Sequence, residues 1–304
     1  MDIYLPIAGL SINAFILLGL GGAVGVLSGL FGVGGGFLMT PLLIFLGVPA
    51  PVAVGTGTNL VVASSVSGMM AHWRRRNVDF RMAACILSGG VAGAALGIWL
   101  FEVLKSAGQI DEVVTLLYIV FLGAIGVLMA VETAAKLLRR PDPRPRRAHE
   151  HLWVHGLPFK MRFRRSKLYV STIPPVAIGF LTGILASIMG VGGGFAMVPA
   201  LIYVVGMPTS VVIGTSLLGI LVVSIASCVA HAVATQSVDV MLALLLAVGA
   251  VVGAQYGSKI GARLRAEYLR GLLALMVLTV CGRLVYELVA TPDDPFRVDL
   301  LGLP

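Results

Sequence analysis

The sequence predicts an all-α integral membrane protein made of two inverted-topology repeats. Each repeat is a broken, re-entrant helix hairpin followed by three transmembrane helices, about ten helical segments in all. Three observations predict this: a strongly apolar composition, an internal duplication, and a glycine cluster that interrupts one long apolar segment in each half.

Of 304 residues, 58% are hydrophobic and 12% charged, against roughly 25% charged in soluble domains. The mean hydropathy is +0.98. A water-soluble enzyme of this size needs more polar residues to cover its surface, so that class is excluded. The 38 glycines follow no three-residue period, which excludes collagen. Cys85, Cys228 and Cys281 all lie in apolar stretches and read as small packing residues rather than a disulfide framework. The N-terminus lacks the positive region of a signal peptide, so its first apolar run is expected to stay as a membrane segment.

Apolar segments run at 7–30, 37–47, 52–73, 82–101 and 113–138, then at 171–189, 195–206, 209–233, 238–258 and 269–290. Most are long enough to cross a hydrocarbon core of about 30 Å as a helix. The segments 37–47 and 195–206 are half-length, and each follows a glycine cluster.

The halves repeat. Gly32-Val33-Gly34-Gly35-Gly36-Phe37 matches Gly190-Val191-Gly192-Gly193-Gly194-Phe195 at an offset of 158, as Pro41 matches Pro199. Gly55-Thr56 matches Gly214-Thr215, and His72 matches His231, at 159. Val78-Asp79 matches Val238-Asp239 at 160, as Gly89, Gly93 and Gly97 match Gly249, Gly253 and Gly257. The domain reading is a first transmembrane repeat at 1–138, a basic cytoplasmic loop at 139–170, a second repeat at 171–292 and a short tail at 293–304.

As one helix, residues 10–46 would span about 55 Å, nearly twice the core. Each interior glycine also costs roughly 1 kcal/mol against alanine. The chain is therefore expected to enter, break at the glycines and turn back along a short helix. Five segments per half make the second half inverted relative to the first. With both termini outside, the inner loops and helix ends hold 19 of the 22 Lys and Arg residues, as the positive-inside rule requires.

Residues 139–167 carry ten basic and two acidic residues, the whole net charge of +8. No fold element is expected there to present the charges to nucleic acid, so no nucleic-acid partner is assigned. Trp153, Phe159 and Phe163 interleave with the basic residues, which favours contact with anionic lipid of the inner leaflet. His149, Glu150, His151 and His155 cluster in the same loop without a scaffold, and neither a metal nor a cofactor is assigned.

Broken helices in inverted repeats carry ligand sites in secondary transporters. The first amides of each short helix lack intrahelical partners and carry partial positive charge. Glycine lets a ligand approach that backbone. The expected substrate site is an anion cradle formed by Gly32, Gly34, Gly35, Gly36 and Phe37 with Gly190, Gly192, Gly193, Gly194 and Phe195. Thr56, Asn59, Thr215 and Ser216 are expected to line it as hydrogen-bond donors, with back-bonding to the helix as the alternative. Neither cluster is a phosphate loop, because no Gly-Lys-Ser/Thr follows. The Gly89–Gly97 and Gly249–Gly257 stripes read as close helix packing. His72 and His231 read as interfacial polar caps. No carboxylate lies deep in any span, so coupling through a buried Asp or Glu has no support. The spans contain no nucleophile–base pair, so no catalytic residue is assigned.

The duplicated Gly-Val-Gly-Gly-Gly-Phe, its downstream proline and the following Gly-Thr resemble the sulfite exporter TauE/SafE family of membrane permeases. The resemblance covers nearly the whole chain apart from the 139–170 loop and the tail. It implies a multi-pass protein of the cell (inner) membrane that moves sulfite or a small organosulfur anion, with sulfite export foremost. Uptake of a sulfonate or other small organic anion stays open, as does a non-transporting scaffold. The long basic loop departs from the family pattern. Asn59 faces Leu218 in the repeat, so the two half-sites differ.

The charge distribution predicts that both termini face outside. Cysteine labelling or reporter fusion at the C-terminal tail checks this, and a cytoplasmic tail overturns the inverted arrangement.

Overall fold

The computed structural model describes residues 2–31, 36–74, 78–138, 159–163, 165–166, 168–261 and 266–289. Within them the order is β1 (Asp2–Leu5), β2 (Leu10–Asn13), α1 (Ala14–Phe31), α2 (Gly36–Phe45), α3 (Ala50–Arg74), α4 (Phe80–Ser106) and α5 (Ile110–Leu138). The second half follows the same order: β3 (Lys160–Phe163), β4 (Leu168–Ser171), α6 (Ile173–Met189), α7 (Gly194–Tyr203), α8 (Thr209–Ala230), α9 (Val240–Gly261) and α10 (Ala266–Val289). A single π-helical turn, His231–Thr235, extends α8. The protein is an all-α integral membrane protein, and five of its helices are each long and apolar enough to cross a bilayer alone.

The helices begin and end within a few residues of the apolar segments. The two β-hairpins are a correction. The first apolar run was expected to start at residue 7, but residues 2–13 pair antiparallel, with Asp2 opposite Asn13 and Leu5 opposite Leu10. The basic loop was expected to hold no fold element, yet Lys160–Phe163 pairs with Leu168–Ser171. Phe163, expected at the lipid surface, is fully buried, in the hydrophobic cluster that also holds Met69, Met82 and Leu201. Phe159 is exposed. Trp153 and the His149–His155 cluster lie outside the described residues.

The glycine stripes act in packing across the two halves. A methyl carbon at Gly89 or Gly93 of α4 would overlap the carbonyl oxygen of Val176 or Phe180 on α6. In the other crossed pair, Gly253 and Gly257 of α9 meet the carbonyls of Gly22 and Val26 on α1. Lipid tails are as apolar as leucine, so close backbone approach and dispersion hold such helices together rather than exclusion from water.

Two buried aspartates at helix starts, outside the interior of any span, complete the exchange. Asp79 and Asp239 are 2% and 1% exposed, and each caps a helix. Asp79 Oδ1 accepts from the amides of Arg81 and Met82. Asp239 Oδ1 accepts from those of Met241 and Leu242. The second oxygen of each reaches the other half's hairpin. Asp79 Oδ2 accepts from Ser166 N at 3.0 Å and Ser166 Oγ at 2.8 Å, and Asp239 Oδ2 accepts from Ile7 N at 3.2 Å. The amides reciprocate: Asp79 N donates to Thr215 Oγ1 at 3.0 Å and Asp239 N to Thr56 Oγ1 at 3.2 Å. A buried carboxylate without such donors is costly, so each aspartate ties helix start, hairpin and opposite half together.

Two consequences are testable. Gly93→Val should destabilise the protein strongly, whereas Gly282→Val, whose Cβ position meets nothing within 4 Å, should not. Thermal unfolding in detergent compares them, and equal melting points refute the packing role. Asp79→Ala should cost about 1–3 kcal/mol through the lost cap and the orphaned Ser166 donors, and Ser166→Ala less. The same melts order the two variants.

Candidate functional site

The site grows from the place where α6 stops. Gly190 ends the helix in the left-handed region at φ +72°, and its N–H returns to Ala186 O. Gly192 and Gly193 follow at φ +72° and +70°, and Gly193 caps α7. L-residues pay to adopt this region, so glycine is required on conformational grounds. Space requires it too. A Cβ at Gly190 would lie 2.6 Å from Val54 O, and one at Gly193 would lie 2.7 Å from Thr182 O.

A helix that ends inside the protein leaves carbonyls without partners. Side chains from other helices supply donors. Tyr118 of α5 donates its hydroxyl to Met189 O, and His231 Nε2 donates to Ser187 O at 2.8 Å. On the other side of the turn the first bond is Met197 N to Gly193 O at 2.9 Å, with a longer one from Ala196 N. The amides of Val191, Gly192, Gly193, Gly194 and Phe195 have no acceptor among the described residues, although all five residues are buried. At the break the carbonyls of Ala186, Ser187 and Met189 are engaged, whereas the amides from Val191 to Phe195 find no acceptor among the described residues.

The two half-length helices meet here. Phe37 and Phe195, at the start of α2 and α7, stack with ring centroids 4.9 Å apart and planes 6° apart. Gly36 faces Val61 of α3, and its Cβ position is 3.5 Å from Val191 O. Gly32, Gly34 and Gly35 lie outside the described residues.

The hydroxyl residues expected to line the cradle divide by what they touch. Thr56 Oγ1 accepts from Asp239 N. Thr215 Oγ1 accepts from Asp79 N and gives its proton to Val211 O at 2.7 Å. Ser216 Oγ donates to Ile213 O at 3.1 Å. Asn59 Oδ1 accepts from Cys228 Sγ. The protons of Thr215 and Ser216 thus return to their own helix, and Thr56 and Thr215 join the halves.

Sequence reasoning missed the hydroxyls that are unengaged. Ser65, Ser187, Ser224 and Ser227 are fully buried, and their Oγ atoms have no partner among the described residues. Ser224 Oγ lies 2.9 Å from the Cβ position of Gly192 and so points at the turn. Ser65 matches Ser224 at the same offset of 159 that relates Thr56 to Thr215. That match was a signal available in the sequence.

His231 is not the interfacial cap expected of it. It is fully buried, edge-on to Phe101 at 4.8 Å, with Nδ1 3.3 Å from Thr235 Oγ1. The side chain of His72 lies outside the described residues.

Amides and a hydroxyl without partners among the described residues, at a helix start, are the groups an anion can accept hydrogen bonds from without a buried cation.

The comparisons with known proteins agree on the class. The family model described as sulfite exporter TauE/SafE matches residues 17–284. A probable membrane transporter protein of Xylella fastidiosa (strain 9a5c) is 33% identical over 210 residues, 68% of this chain and 70% of the relative. The probable membrane transporter protein YjnA of Bacillus subtilis (strain 168) is 29% identical over 233 residues, 76% of this chain and 82% of the relative. No solved structure matches. The chain belongs to the sulfite exporter TauE/SafE family, and is a multi-pass membrane permease of the cell membrane.

Proposed function

We propose that this permease moves a small sulfur oxyanion as a secondary transporter or facilitator, with export of sulfite as its main task. The observation that carries the reading is the open amide end of the α6–α7 break, where five buried amides and Ser224 Oγ have no partner among the described residues. The Gly32–Phe37 cluster, which matches this turn in sequence, is our candidate for the second half of the cradle. Each charge-assisted hydrogen bond to such an anion contributes about 1.5–3 kcal/mol before desolvation. The helix dipole adds roughly 0.3–2 kcal/mol. Several such terms offset dehydration of a small oxyanion without binding it irreversibly.

Two features support the inverted arrangement. The β3–β4 turn bonds to Asp79 at the α3–α4 connection, and the N-terminal hairpin bonds to Asp239 at the α8–α9 connection. Both pairings follow if each hairpin shares a membrane face with that connection. The exposed Lys160 and Arg162 on β3 support contact of the basic loop with anionic lipid.

Gly193→Val should abolish sulfite binding and transport while the protein still inserts, because it forces a side chain into the left-handed region and toward Thr182 O. Thr215→Val should act mainly on stability, because its hydroxyl serves Asp79 N and Val211 O. Calorimetric binding to purified, monodisperse variants and flux into proteoliposomes, over sulfite, sulfate, thiosulfate and a sulfonate, test both. Normal sulfite binding by Gly193→Val removes the cradle, and a wild type that carries another anion but not sulfite removes the substrate.

A further inference from the structure

The unengaged hydroxyls continue beyond the glycine turn. On α8, Ile220, Ser224, Ser227 and His231 follow at spacings of four, three and four residues, which puts them on one helix face. Ser224, Ser227 and His231 are all fully buried. Beyond them the π-helical turn brings Thr235 Oγ1 within 2.6 Å of Ser237 Oγ. Lys105 Nζ then donates to Thr235 O at 2.8 Å, and Lys105 itself is exposed. Polar groups therefore line α8 from the glycine turn to a lysine in contact with solvent.

This stripe departs from ordinary serine behaviour in a membrane helix. There a hydroxyl normally returns its proton to a carbonyl three or four residues back. Ser64, Thr182 and Ser216 do so here. Ser224 and Ser227 do not, and neither does Ser187 at the end of α6, whose carbonyl accepts from His231. The Cβ of Ser187 faces Gly97 of α4, and the same α4 face carries Phe101 against His231 and then Lys105. Three buried hydroxyls without partners among the described residues, in one contiguous stretch between an open amide turn and a solvent-facing cation, call for water or a ligand.

We propose that Ser224, Ser227 and His231 of α8, with Ser187 of α6, form a half-path that conducts a small hydrated oxyanion between the glycine turn and Lys105. The groups suit an anion in transit. Hydroxyls rotate to donate without adding fixed charge, so they solvate the ligand without trapping it. Lys105 attracts it at the mouth. The matched residues Val61, Ser65, Gly68 and His72 recur on α3 at the same spacing, and Ser65 Oγ also lacks a partner among the described residues. The proposal rests on the transport reading of this site but not on sulfite being the substrate.

The test is cysteine accessibility in proteoliposomes, with Cys85, Cys228 and Cys281 replaced. Ser227→Cys and Ser187→Cys are treated with the anionic reagent 2-sulfonatoethyl methanethiosulfonate in sulfite-free buffer. Leu246→Cys on α9, equally buried but packed against α1, is the control. Thiol modification is governed by access, so both stripe positions should react at least about tenfold faster than the control. Modification of Ser227→Cys should also lower flux of the carried anion by about tenfold if the thiol lies in the path. Inert thiols at both positions, in protein that still transports, overturn the half-path. If Ser227→Cys does not insert, Ser187→Cys decides alone. A wild type that carries no sulfite refutes the substrate assignment and leaves the labelling result to decide the path.

Discussion

Everything at the centre of this protein depends on α6 ending inside it. Within a bilayer every backbone polar group needs an internal partner, so a helix that stops at depth creates a debt at both sides of the break. The chain resolves only one side. Tyr118 and His231, from α5 and the end of α8, reach the carbonyls of Met189 and Ser187. The amides from Val191 to Phe195 have no acceptor among the described residues. Among the described residues this asymmetry leaves amide donors, rather than carbonyl acceptors, unengaged at the break, and the anion site proposed above rests on it.

The surrounding architecture keeps that break in place by exchanging elements between halves. α4 lies on α6 and α1 on α9, at separations that only glycine permits. Asp79 and Asp239 each bind their own helix start, the other half's hairpin and a threonine of the other half. Breaking these joints would expose buried carboxylates, so neither half keeps its local structure without the other. The same joints explain why Thr56 and Thr215 hold matched positions, each accepting from an aspartate amide of the other half, while the proton of Thr215 goes to Val211 O.

Much of this was legible in the sequence. Helix limits followed hydropathy closely, because a bilayer-scale apolar run leaves little choice of secondary structure. The glycine stripes were read as packing and serve as packing. The two β-hairpins were not legible. Lys160–Phe163 does alternate polar and apolar, but four residues inside a basic loop are too short a pattern to mark a strand, and the turns of both hairpins are held by aspartates distant in sequence. His231 looked like an interfacial cap because it ends an apolar run, but a π-helical turn carries the chain past it and leaves it buried. Ser65 and Ser224 went unnoticed because serine in an apolar helix usually bonds its own backbone, and nothing local marks the exceptions.

By itself the sequence determined the class: membrane-embedded, duplicated, with a glycine cluster interrupting an apolar run at the same place in each half. Composition and periodicity suffice for that, because burial in lipid is a property of whole segments. Only the tertiary structure decided which polar groups near the break are engaged. Thr215, Ser216 and Ser224 are similar hydroxyl residues on one helix, yet the first two are bonded and the third is open. Partner satisfaction depends on which atoms other helices bring within about 3 Å, and a single chain's pattern of residues does not contain that distance.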